Sequence, residues 1–186
     1  MNRLLGKLSG GHLRSDGRAN EVAQEVSQNP QLLEQLFDGL SEPNDVIRGR
    51  TAHALERVSR TNQDAFRGLV PRLVNLSVRD RIPMVRCHLA MIFGNTVFAV
   101  KDIEPVVSVL FRLLTDDSVF VRSWAISSLC IIGKRDKPRR REIIDAIRAL
   151  RDDKSVAIRV RAAKALRVLR NENEPFLRVG PKHELN

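Results

Sequence analysis

Few residues in this chain could do acid–base or nucleophilic chemistry, and they are scattered. Four histidines, His12, His53, His88 and His183, are spread along 186 residues. His53 and His88 could approach each other across neighbouring segments, but no Cys or carboxylate completes a metal-ligand set around them. Cys87 and Cys130 lie 43 residues apart in apolar stretches, so they read as small buried hydrophobes rather than a disulfide or metal pair. Gly10-Gly11 follows no strand and does not make a phosphate loop. No Ser-His-Asp arrangement follows from these spacings. The expectation is a protein that is not an enzyme, with no cofactor, no metal and no small-molecule substrate.

What the chain has in abundance is arginine: 25 Arg against 7 Lys, within a net charge of +10. Arginine suits bidentate pairing with carboxylate or phosphate, so an acidic partner fits, although a GC-rich genome would produce the same bias. The excess charge is concentrated. Residues 134 to 170 carry fourteen Lys or Arg against five acids, a net of +9. The densest run is Lys134-Arg135-Asp136-Lys137-Pro138-Arg139-Arg140-Arg141. Three arginines in a first helical turn oppose the helix dipole, so helix propensity does not explain them. A bound phosphate or carboxylate would gain from both the arginines and the free N–H groups. Asp136 and Glu142 partly neutralise the run and favour the alternative of a solvated basic loop. Arg161, Lys164, Arg167 and Arg170 follow at steps of three and extend the patch.

These residues sit on a repeating frame. Ile47–Leu55, Val85–Phe93, Val121–Leu129 and Ile158–Leu166 align without gaps, with starts 38, 36 and 37 residues apart. Each begins with a β-branched residue and an arginine and has a large apolar residue eight positions on. An acid stands six positions before each arginine: Glu42 before Arg48, Asp80 before Arg86, Asp116 before Arg122 and Asp153 before Arg159. Apolar residues make up 42%, with no Tyr, one Trp and seven Phe. That composition favours Leu-, Val- and Ala-rich helices over strands. Leu32, Leu33, Leu36, Phe37 and Leu40 follow a helical period after Pro30. Asp45 is placed to cap the next helix. Residues 63 to 78 read as one helix with a kink or break at Pro71. Gly94-Asn95 and Gly133 read as stops.

At this level of detail the chain resembles the HEAT-repeat family, over roughly residues 30 to 170. The resemblance implies an all-α, right-handed α-α superhelix of about four helix pairs, spanning about 30–60, 62–96, 101–133 and 136–171. An extra helix from about residue 18 would cap the N-terminal end. It implies that Glu42, Arg48, Asp80, Arg86, Asp116, Arg122, Asp153 and Arg159 form a structural ladder between repeats. It also implies that the second helices line a concave face, where Arg50, His88, Trp124 and Arg161 form one column. His53, Met91, Ser127 and Lys164 form the next. The competing reading packs Trp124 and Met91 between repeats and leaves the arginines solvated. HEAT-repeat alkylpurine DNA glycosylases use a basic groove with a Trp and a carboxylate. Here Ser128, not an acid, stands one turn beyond Trp124, and the chain is shorter than those enzymes.

The expected organisation is a flexible segment over 1–17, one solenoid domain over 18–171 and a tail over 172–186. The expected function is a scaffold or adaptor binding a protein partner through the concave residues Arg50, His53, His88, Trp124, Arg161 and Lys164. The alternative is nucleic-acid binding through Lys134, Arg135, Lys137, Arg139, Arg140, Arg141, Arg167 and Arg170, and a third, lesser one is a DNA glycosylase-like HEAT-repeat enzyme. No stretch reaches the length of a membrane span, and no signal peptide opens the chain. Reduced buried cysteines suit a cytoplasmic setting.

Overall fold

A computed structural model of the chain describes residues 2–171 and 173–174. Among the described residues there are ten α-helices and no strand. They are α1 (Arg3–Leu8), α2 (Ala19–Gln28), α3 (Leu33–Phe37), α4 (Asp45–Ser59), α5 (Val70–Ser77), α6 (Pro83–Thr96), α7 (Glu104–Leu113), α8 (Val119–Arg135), α9 (Lys137–Arg148) and α10 (Val156–Arg170). Four pairs result: α3/α4, α5/α6, α7/α8 and α9/α10. The second helix of each pair packs directly on the next, α4 on α6, α6 on α8 and α8 on α10. The first helices meet each other far less. The second helices thus form one continuous layer, the one that the family resemblance makes the inner face.

The residue eight positions into each repeat is buried in every copy: Leu55, Phe93, Leu129 and Leu166. No helix pair covers these positions alone, so the core is continuous from repeat to repeat. The arginine ladder links the same units. Arg86 makes a bidentate pair with Asp116 of the next repeat, at 2.7 and 2.9 Å. Arg48 reaches Asp80 and Arg122 reaches Asp153 through one contact each, at 3.1 and 3.2 Å. Each arginine also donates Nη1–H to the carbonyl of the acid six positions before it, at Glu42, Asp80, Asp116 and Asp153. That second contact explains the constant spacing of six: the guanidinium folds back over the turn of its own repeat. The carboxylates of Asp80, Asp116 and Asp153 accept the turn N–H of Ile82, Ser118 and Ser155. In the first copy the turn N–H groups go to Asn44 Oδ1, which makes Asn44 rather than Asp45 the cap of α4.

Several sequence expectations are corrected. The segment before residue 18 is not a tail. α1 buries Leu4, Leu5 and Leu8, and its Lys7 pairs with Glu21 and Glu25 of α2. Pro71 does not kink a helix; it opens α5, where its missing N–H is harmless. Pro30 opens only a 3-10 turn, and a second 3-10 turn, Asp38–Ser41, follows the short α3. Gly94 and Gly133 do not end α6 and α8 but lie within them. At Gly94 a Cβ would stand 2.5 Å from Ser128 Oγ. The glycine is there because two helices meet at that point. The tail over 172–186 lies outside the described residues, apart from Asn173 and Glu174.

Candidate binding groove on the second helices

The inner face is built from equivalent positions of α4, α6, α8 and α10. Positions one before and three after each repeat start are one helical turn apart, so they share a stripe. Val46 and Arg50, Met84 and His88, Phe120 and Trp124, and Ala157 and Arg161 occupy it in order. The structure divides this stripe into a covered half and an open half.

The covered half lies under residues 9–18, the strap between α1 and α2. Arg50 is only 4% exposed, and its guanidinium is held by the strap's backbone. It donates to the carbonyls of Leu8, Ser9 and Gly10 through Nη1, His12 through Nη2 and Ser15 through Nε. Gly17 has φ of +52° and lies against the guanidinium so closely that a Cβ would stand 2.6 Å from Arg50 Cζ. Leu13 fills the space over Gly49 beside Met84. Arg50 is therefore not a groove residue open to a partner. It ties down the strap, and its assignment to the exposed binding column is corrected.

His53 and His88 stack with ring centroids 5.0 Å apart and an interplanar angle of 8°. His88 Nδ1 lies 2.9 Å from the Met84 carbonyl, so it carries the proton, and His53 Nδ1 lies 3.3 Å from Asp16 Oδ1 of the strap. Burial pushes His88 down to about 4, helped by the neighbouring imidazole and opposed by Glu56 and the Met84 carbonyl. Burial also lowers His53, against the pull of Asp16 and Glu56. Both rings are neutral near pH 7 and serve packing. Among the described residues no group of three or more His, Cys, Asp or Glu could hold a metal ion. Burial raises both Cys87 and Cys130 to about 12, which keeps them as thiols.

The open half is different. Phe120 is 73% exposed at the head of α8, and one turn on Trp124 is half-buried against the core. Arg161 of α10 stacks over the Trp124 ring at 5.1 Å and donates to Ser127 Oγ at 3.1 Å. Burial alone lowers the Arg161 guanidinium, and among the described residues no carboxylate meets it. Lys164 is exposed beside it. Met91 and Ser127 are buried, so that part of the second column is packing, not groove. Ser128 is fully buried between α8 and α6, where its hydroxyl donates to the Ala90 carbonyl. An acid at that position would face the helix interface, not the groove.

The basic run has other uses. Asp136 caps α9 by accepting the Arg139 N–H, and Arg139 pairs with Asp136 and Glu104. Arg140 turns back to cap the C-terminus of α8 at the Gly133 and Lys134 carbonyls, the favourable end of that dipole. Lys134 binds the Asn171 and Glu174 carbonyls, Arg135 lies over Phe98, and Arg167 pairs with Glu174. Lys137 is exposed and also has a partner. Arg141 and Arg170 are exposed. Reading Arg139 and Arg140 as a free anion site is thus corrected: a neighbouring helix end and two carboxylates account for them.

Sequence reasoning missed two features. Phe120 stands just before a repeat start, and only the one-turn relation to Trp124 could have flagged it. The strap carries no pattern of its own, because it is held by carbonyls.

No protein-family model matches the chain, and no curated protein does either. Solved structures do match. An engineered protein from a structural genomics consortium superposes with a TM-score of 0.64 at 19% identity, over 89% of this chain and 79% of that one. A designed armadillo repeat protein in complex with the peptide (KR)4 gives 0.63 at 18% identity, over 88% and 79%. A further designed armadillo repeat protein gives 0.62 at 18%, over 89% and 80%. This chain has the armadillo/HEAT-like helical-repeat fold. In this repeat protein, as the ladder shows, the regular arginines belong to the scaffold. Among its described residues no helix is long and apolar enough to cross a membrane.

Proposed function

We propose that this repeat protein is a non-enzymatic scaffold that binds a segment of a protein partner along the open half of its inner face. The observation that carries the reading is Phe120, a large apolar side chain 73% exposed one turn from a half-buried Trp124. Leaving such a side chain in water forgoes about 2 kcal/mol of burial, which a partner surface would recover. The designed armadillo protein that binds (KR)4 supports the same use of such a fold. The nucleic-acid reading of the fourth repeat is weaker, since Arg139 and Arg140 already serve structural contacts.

The test is site-specific crosslinking in cells. A photo-crosslinking amino acid at position 120 is expected to trap a protein, whereas one at Asn75 or Ser108, on the first helices, is not. Equal capture from all three positions, or capture from 120 that disappears with nuclease, would sink the proposal.

A further inference from the structure

The covered half of the groove shows what this face offers to a length of chain, here the turns of the strap. The strap brings three things: backbone carbonyls for Arg50, an apolar side chain, Leu13, over Gly49 and Met84, and an acid, Asp16, for His53. Leu13 and Asp16 are three residues apart. The open half offers residues of the same kinds in the reverse order, its ring pair on the third repeat and its arginine on the fourth. Arg161 stands where Arg50 stands in its own repeat. Phe120 stands where Met84 does, and the Trp124 ring replaces the His88 ring.

The two arginines differ in what satisfies them. Arg50 has five carbonyl acceptors. Arg161 has one hydroxyl and a ring face, and no carboxylate among the described residues. A half-buried guanidinium holding one neutral acceptor is short of hydrogen-bond partners. Its surroundings carry the same sign: Lys164 lies beside it, and residues 134 to 170 carry a net +9. A cationic chain would meet this field as repulsion, and an anionic one as attraction.

We infer that the open half takes an acidic peptide, with a carboxylate on Arg161 and an apolar side chain against Phe120 and Trp124, an inference that rests on the inner-face reading above. This differs from the (KR)4 peptide held by the designed armadillo protein. The charge preference here is opposite because the cation belongs to the groove.

Trp124 is the only tryptophan, so its emission reports on the groove directly. The probes are synthetic dodecapeptides of Gly and Ser carrying one Phe and, three residues on, Asp, Asn or Lys. The Asp peptide is expected to change Trp124 emission saturably and to bind roughly fivefold tighter than the Asn peptide, about the effect of one charge-assisted hydrogen bond at a half-exposed site. The Lys peptide should bind weakest. R161Q should erase the Asp-over-Asn preference, and R161K should restore much of it. R141Q, at an exposed position on α9, should leave it intact; circular dichroism checks that each variant is folded. If R141Q weakens binding as much as R161Q, the attraction is diffuse charge and the inference is overturned. If Asn or Lys peptides bind as tightly as Asp and F120S abolishes all three, the groove reading stands and the acid preference falls. If no peptide perturbs Trp124 up to about 1 mM, the affinity scale of a bare fragment, the acidic-peptide inference fails, and crosslinking from position 120 decides the groove reading separately. If oligothymidylate displaces the Asp peptide and binds more tightly, the occupant is nucleic acid and the inference fails.

Discussion

The two halves of the inner face are built on the same repeat, yet one is closed and the other is not. In the first two repeats the stripe runs through Val46, Arg50, Met84 and His88, and the strap covers it. In the last two it runs through Phe120, Trp124, Ala157 and Arg161, and Phe120 faces solvent. The closed half satisfies its cation internally and has stacked neutral histidines. The open half has an aromatic pair and a cation short of acceptors. The same geometry therefore yields a structural contact where the chain folds back on itself, and a candidate recognition surface where it does not.

The sharpest way to break this comparison is to exchange the fates of the two arginines. Arg50→Leu leaves several strap carbonyls without a donor and should destabilise the fold by about 3 kcal/mol or more. Arg161→Leu should lower stability by under about 1 kcal/mol, since the side chain is less enclosed. Urea unfolding measures both, and tryptic cleavage at Arg14 or Arg18 should quicken only in the Arg50 variant. Comparable losses would mean that the open half is as structural as the closed one.

The histidine pair predicts acid sensitivity confined to the closed half. His88 titrates near 4 when folded and near 6.5 when unfolded. Between those values the unfolded chain binds more protons, so stability is full above about pH 6.5 and falls as the pH drops toward 4. The lost stability is on the order of 3 kcal/mol, from the size of the shift. His88→Gln should flatten the profile in that window, measured as thermal midpoint against pH. An unchanged slope would place the titrating groups elsewhere.

Gly17→Ala probes the strap more gently. The positive φ and the close guanidinium both oppose a Cβ, at about 1–2 kcal/mol, part of which a small shift of the strap would relieve. Peptide-induced changes in Trp124 emission should be unaffected, since the halves are separate. The smallest expected effect on stability is that of Phe120→Ser, within about 0.5 kcal/mol for a surface change. That same variant should remove partner crosslinking from a probe at Trp124. A large destabilisation instead would make Phe120 part of the fold.

The repeat could be read directly because burial periodicity writes itself into sequence: Leu55, Phe93, Leu129 and Leu166 recur because each faces the same core. The acid–arginine spacing was legible for a second reason: the carboxylates of Asp80, Asp116 and Asp153 pair with the arginine of the preceding repeat, while the arginine of their own repeat folds back over the same turn, six positions on. The glycines misled because sequence marks a missing side chain without saying whether a turn or a neighbouring helix demands it. Gly94 answers to Ser128, 34 residues away. Arg139 and Arg140 misled likewise: their acceptors Glu104 and the end of α8 belong to other elements.

The sequence by itself determined the helical repeat, its register and the concentration of positive charge in the last repeat, because each depends on residue type at a fixed local period. Only the tertiary structure decided which arginines remain available. Arg50 and Arg161 occupy equivalent positions and are the same residue. What separates them is whether the backbone of a distant segment passes over them, and hydrogen bonds to backbone carbonyls do not depend on side-chain identity, so they leave almost no trace in the residues that supply them.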